Sequence, residues 1–175
     1  MNSWFIKEEH GNNLLRLCVI VLIFNSLWPI IYALTLYKLF GSDDSNVGNF
    51  VDEAHQGVGV LIFSVVESAF IEELIFRTSF VILGYYSLHY VRFLRQSNHA
   101  HVYFFLALIS STLFGIVHGG YQNICVQGVH GFTMFLIFLK SGGPQNRLVK
   151  ATFVTTAYHA WFNLSVTVGK IIHSF

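Results

Sequence analysis

The sequence predicts an all-α fold: a polytopic transmembrane helical bundle of about five membrane helices, or six if a half-helix or surface helix precedes Glu72. Two observations carry this. Hydrophobic residues make up 54% of the 175-residue chain and charged residues only 11%, against about 25% charged in an ordinary soluble domain. The few charges are also spaced so that long runs carry none, and roughly 20 apolar residues suffice to cross a hydrocarbon core of about 30 Å. A formal net charge of +1 leaves no footprint for nucleic acid, which is excluded as a partner, and no polybasic tail for anionic lipid. The chain reads as one integral-membrane domain over 1–175, without repeat or linker.

Residues 17–37 are 21 positions without a charge and form the first expected span, with Pro29 as a kink; the run is too long and starts too late for a signal peptide. Residues 41–53 hold Asp43, Asp44, Asp52 and Glu53 and read as a loop. From 56 to 91 apolar residues return for 36 positions, more than one span needs. Either a half-helix or surface helix (57–69) precedes a span at 70–91, or one long helix protrudes. Residues 96–139 carry no Lys, Arg, Asp or Glu over 44 positions, enough for two spans, at 104–118 and 126–139, parted by Gly119-Gly120. Ser141-Gly142-Gly143-Pro144 stops the second of these. The last span is expected at 151–172. Cys18 and Cys125 fall at opposite faces of such a bundle and read as packing residues rather than a disulfide.

With five spans, Lys7, Arg16, Arg92, Arg95, Lys140, Arg147 and Lys150 lie on one side and only Lys38 and Lys170 on the other. That bias puts the N-terminus in the cytoplasm.

Three polar clusters interrupt the apolar runs: Glu72-Glu73-x-x-x-Arg77, Phe114-x-x-x-His118 and His159-x-x-x-Asn163. Ionisable groups inside membrane segments cost a few kcal/mol each, so a chain that keeps them there uses them. At 100° per residue Glu73 and Arg77 share a face as an i,i+4 pair in the favourable order, a structural ion pair, while Glu72 points elsewhere and stays without a partner in its own helix. Such a carboxylate, isolated among apolar groups, holds its proton more tightly than a solvated one and suits a general base. Phe114 with His118, and His159 with Asn163, each share a helix face. His130, alone in a charge-free run, reads as a hydrogen-bonded packing residue.

In this order and separation, the three clusters resemble the motifs of the CPBP family, the Abi-type intramembrane CAAX-processing and bacteriocin-processing glutamic proteases. The likeness covers about residues 67–165; the family often has Gly after the motif arginine, where this chain has Thr78. The resemblance implies an intramembrane endopeptidase acting on a membrane-associated peptide, such as a CAAX-type C-terminus or a secreted-peptide precursor, within the lipid bilayer. Glu72 with His118 would activate water, His159 and Asn163 would stabilise the oxyanion, Glu73 and Arg77 would fix the helix, and Phe114 would pack the motif.

No cofactor is expected on this reading. The rival within the same fold is a zinc enzyme holding its metal on Glu72, His118 and His159, a His₂Glu set with an open position; the absence of an H-E-x-x-H pair weighs against it. A different class of reading is a non-catalytic membrane immunity or scaffold protein that keeps the cluster to bind a peptide.

Overall fold

The computed structural model describes residues 3–35 and 57–173, and these contain helices and turns with no strand among them. The expected acidic loop at 41–53 and Lys38 lie outside the described residues. The first apolar run forms α1 (Gly11–Thr35), which takes in Arg16 and keeps Pro29 inside the helix.

The long stretch around Glu72 resolves into the second of its two expected forms. Helix α2 (Val58–Glu73) passes directly into a π-helical turn (Leu74–Thr78) and then α3 (Ser79–Tyr90), with no break before Glu72. A π-turn accommodates one residue more than an α-turn and is frequent at functional sites. Here Ser79 donates from both its backbone N–H and its Oγ to the Leu74 carbonyl, and the Phe76 carbonyl accepts a hydrogen bond from Ser110 Oγ of the facing helix. Thr78 and Thr152 hydroxyls, 2.8 Å apart, tie the same turn to the last helix.

A short helix α4 (Arg92–Arg95) leads to α5 (His99–Val117), whose first turn is capped by Asn98 Oδ1 accepting from the Ala100 N–H at 3.0 Å. The expected break at Gly119-Gly120 is real: both residues have positive φ, +136° and +82°, which stops the helix where only glycine is comfortable. A 3₁₀ turn (Tyr121–Cys125) precedes α6 (Gln127–Lys140), and a second (Gly143–Gln145) precedes α7 (Leu148–His173). Three stretches, Gly11–Tyr32, His99–Val117 and Asn123–Gln145, are long and apolar enough to cross a membrane.

Helix α6 is the centre of the bundle, with Phe135, Ile137, Phe138 and Leu139 fully buried. The 3₁₀ turn before it meets α5 closely: a Cβ at Gly115 would stand 2.7 Å from the Ile124 Cα, so this contact requires glycine. Val21 of α1 and Tyr158 of α7 close over Met134 and Ile137. Ala160 of α7 packs on Leu61, Val65 and Ala69 of α2.

Polar contacts mark the two ends. At one, Lys140 is buried, donates to the Trp4 carbonyl and sits 3.7 Å from the centre of the Trp4 ring, while Glu8 takes Arg147 and Lys150 at 3.1 and 2.7 Å. The start of α1, the end of α6 and the start of α7 therefore lie together. At the other, Trp28 Nε1 donates to the Cys125 carbonyl at 2.7 Å, joining the far part of α1 to the turn before α6. The long helical segments thus run in alternating directions.

The distribution of polarity is inverted relative to a protein folded in water. Asn25, Glu73, Arg77 and Thr155 are fully buried, whereas Leu34, Phe63, Phe105 and Phe153 face outward. Asn25 is a hub: its Nδ2 donates to Tyr158 Oη at 3.1 Å, its Oδ1 accepts from Thr133 at 3.0 Å, and its carbonyl meets His130 Nε2 at 3.0 Å. So His130 is a hydrogen-bonded packing residue, and α1 is locked to α6 and α7 by more than apolar contact.

Candidate active site

Glu72 and Glu73 are the last two residues of α2, and their side chains diverge as the 100° helical step requires. Glu73 turns into the bundle and is fully buried; Glu72 is about one-fifth exposed. His118 reaches Glu72 from the end of α5 and His159 from the middle of α7.

Their geometry is convergent. Glu72 Oε2 lies 3.5 Å from His118 Nε2 and 3.5 Å from His159 Nε2, and Glu72 Oε1 accepts from Ser68 Oγ at 3.0 Å. The isolation expected for Glu72 is not found: a hydroxyl and two imidazoles surround its carboxylate. Ser68 was open to discovery, since it stands four residues before Glu72 on the same helical face.

The opposite nitrogen of each imidazole is also engaged. His118 Nδ1 is 2.8 Å from the Phe114 carbonyl, an acceptor, so this nitrogen carries the proton and neutral His118 presents a bare Nε2 to Glu72. His159 Nδ1 is 3.0 Å from Glu73 Oε1 and donates to it. Glu73 therefore serves two partners, since Arg77 Nη1 lies 3.5 Å from the same oxygen. The expected ion pair is present, and it extends to His159, which sequence spacing could not reveal.

Phe114 underlies the whole arrangement. The Arg77 guanidinium lies 4.4 Å from its ring centre, the His118 ring 4.1 Å, the His159 ring 6.1 Å, and Phe76 meets it edge-on at 5.3 Å. Arg77 Nη2 is also 3.4 Å from Met134 Sδ. A guanidinium over an aromatic face gains from the ring quadrupole, most of all when desolvated. Asn163 stands one turn beyond His159 on α7, half-buried, and its side-chain amide makes no hydrogen bond among the described residues.

Glu72, Glu73, Arg77, Phe114, His118 and His159 are thus drawn together from α2, the π-turn, α5 and α7, and Asn163 lies one turn further along α7. Among the described residues no three His, Cys, Asp or Glu side chains are grouped as a metal ion requires. Compared with protein-family models, with curated proteins and with solved structures, the chain matches none.

Proposed function

We propose that this chain is a multi-pass membrane protein of the CPBP type that hydrolyses a membrane-associated peptide, with Glu72 and His118 activating the attacking water. One observation carries the reading: a carboxylate oxygen faces two imidazole Nε2 atoms at 3.5 Å each, brought from three helices into a largely buried place. Each ring is held by its Nδ1, the arrangement that fixes a catalytic imidazole's tautomer and direction.

The chemistry follows from the donors and acceptors. Water gives a proton to the Glu72–His118 pair as its oxygen bonds to the peptide carbonyl carbon. The resulting oxyanion takes hydrogen bonds from Asn163 Nδ2–H and from Nε2–H of doubly protonated His159, whose Nδ1–H stays on Glu73. The C–N bond then breaks, the proton passes to the leaving nitrogen, and the products are a carboxylic acid and an amine. Glu73 is a positioning residue for His159 as well as the counter-ion of Arg77.

We assign five spans and a cytoplasmic N-terminus. The alternating helix directions support this, as does the meeting of Lys140, Arg147 and Lys150 with the N-terminal segment at one end. A zinc-dependent variant would draw on Glu72, His118 and His159, and no step here is routed through a metal.

The test is reconstitution of the purified protein in liposomes with candidate peptides, prenylated C-terminal segments and secreted-peptide precursors among them, and identification of the cut bond by mass spectrometry. Wild type should cleave, and Glu72→Gln should fold but not cleave. A chelator that abolishes cleavage, with zinc restoring it, would move the mechanism to the metal. If Glu72→Gln and His118→Ala retain full function in a matched assay, the protein is a binder, as an immunity or scaffold protein would be.

A further inference from the structure

A cavity of about 380 Å³ lies at the end of the bundle where the N-terminal segment meets α3 and α5, and it shares no lining residue with the Glu72 cluster. Its volume falls within the range of small-molecule sites, roughly 300–1,000 Å³. The polar wall is Arg95, His89, His99, Tyr85, Tyr103 and Gln145, whose amide donates to the Ile6 carbonyl, and no Asp or Glu lines it.

Tyr85, His89, Arg95 and His99 are exposed at the rim, and Tyr103 is the fixed, buried member of the wall. Tyr103 is only 3% exposed, yet its hydroxyl makes no hydrogen bond among the described residues and borders the cavity. Its ring is bedded on α3 through Gly84, where a Cβ would come within 2.8 Å of the Tyr103 Cε1, so the close approach that fixes the phenol depends on glycine. The His89 ring is parallel to that of Tyr85 at 6.4 Å and edge-on to Tyr90 at 4.8 Å. Arg95 forms no ion pair among the described residues. The exposed Arg95, His89, His99 and Tyr85 and the buried Tyr103 thus line one space without protein hydrogen-bond partners among the described residues, and Leu88 and Ile6 supply an apolar floor beside them.

We propose that this cavity binds a phosphate group, presented either by an anionic phospholipid headgroup or by a soluble phosphate compound. Phosphate suits the donor set because guanidinium matches two of its oxygens in a planar fork, while imidazole N–H and phenol O–H groups reach the others. Basic pockets between helices at a membrane surface hold lipid headgroups by the same chemistry. This is a lined cavity and does not depend on a polybasic tail.

The test uses the full-length protein in nanodiscs of phosphatidylcholine alone, of phosphatidylcholine with phosphatidylglycerol, and of phosphatidylcholine with millimolar inorganic phosphate. Thermal unfolding and native mass spectrometry read out binding. Wild type should be stabilised by one of the two phosphate sources, and the arm that stabilises identifies which. Arg95→Gln should weaken that binding by about ten- to a hundredfold, as loss of a charged hydrogen-bonding group does. Tyr103→Phe, which keeps the ring, should weaken it severalfold, and Arg92→Gln, outside the cavity on the same short helix, should not. The proposal is overturned if neither source stabilises the wild type, or if stabilisation survives both Arg95→Gln and Tyr103→Phe.

Discussion

Glu73 Oε1 lies 3.0 Å from His159 Nδ1, across 86 residues of sequence and between two fully or almost fully buried side chains. Because Arg77 shares the same oxygen at 3.5 Å, removing Glu73 strands a buried guanidinium and frees an imidazole at once. Breaking a buried pair from one side costs about 3–5 kcal/mol. Glu73→Gln should therefore lower the unfolding temperature in detergent sharply, and Glu73→Gln combined with Arg77→Met should recover much of the loss. Equal unfolding temperatures for wild type and Glu73→Gln would remove the pair from any structural role.

Glu72→Gln and Asn163→Ala should each slow the liposome cleavage assay. Loss of the general base should cost about 10²–10⁴ in kcat. Loss of one oxyanion donor should cost about 10²–10³, equivalent to about 2.7–4 kcal/mol of transition-state stabilisation. Both proteins should unfold near the wild-type temperature, because neither side chain is fully buried. An Asn163→Ala protein with wild-type kcat would exclude that residue from the chemistry.

Asn25→Ala should destabilise the attachment of α1. It removes the side-chain bonds to Tyr158 and Thr133 and leaves the buried Tyr158 hydroxyl short of a partner, at a cost of about 1–3 kcal/mol. Chemical unfolding in mixed micelles measures it. No change in midpoint would mean that the Asn25 side chain does not hold α1 in place.

The N-terminal clasp should weaken in acid. Burial pushes the Glu8 carboxyl up, but the hydrogen bond from Lys150 and the charges of Lys150, Arg147 and His10 outweigh it and hold Glu8 below the usual carboxylate range. A carboxylate with a depressed folded-state value adds stability above its unfolded value of about 4.3, and loses it as pH falls through the folded value. Since Arg147 and Lys150 are 56% and 40% exposed, the effect should stay below about 1 kcal/mol. Unfolding temperatures between pH 6 and pH 3 should fall less steeply for Glu8→Gln than for wild type; identical slopes would refute the clasp's contribution.

Much of this architecture was legible in the sequence because its signals are local. Gly119-Gly120 and the run from Ser141 to Pro144 end helices where expected, and the i,i+4 step found Glu73 with Arg77. The continuity of the helix from Val58 to Tyr90 was ambiguous because hydrophobic periodicity is insensitive to a single widened turn. Asn25 was overlooked because one amide in a long charge-free run leaves no periodic mark. The contact of His159 with Glu73, and the burial of Lys140 beneath Trp4, arise from tertiary packing between distant segments. Asn163 was found by its i,i+4 spacing from His159, and only its role in the chemistry came from resemblance.

The π-helical turn at Leu74–Thr78 makes the frame of this helix as consequential as its composition. The extra residue is taken up within the turn, so α2 and α3 each keep the face they present to the rest of the bundle. Removing Leu74, Ile75 or Phe76 would close the turn to an ordinary α-turn and shift Arg77 by one step against Glu73. The damage would fall on the buried ion pair rather than on the seating of α3.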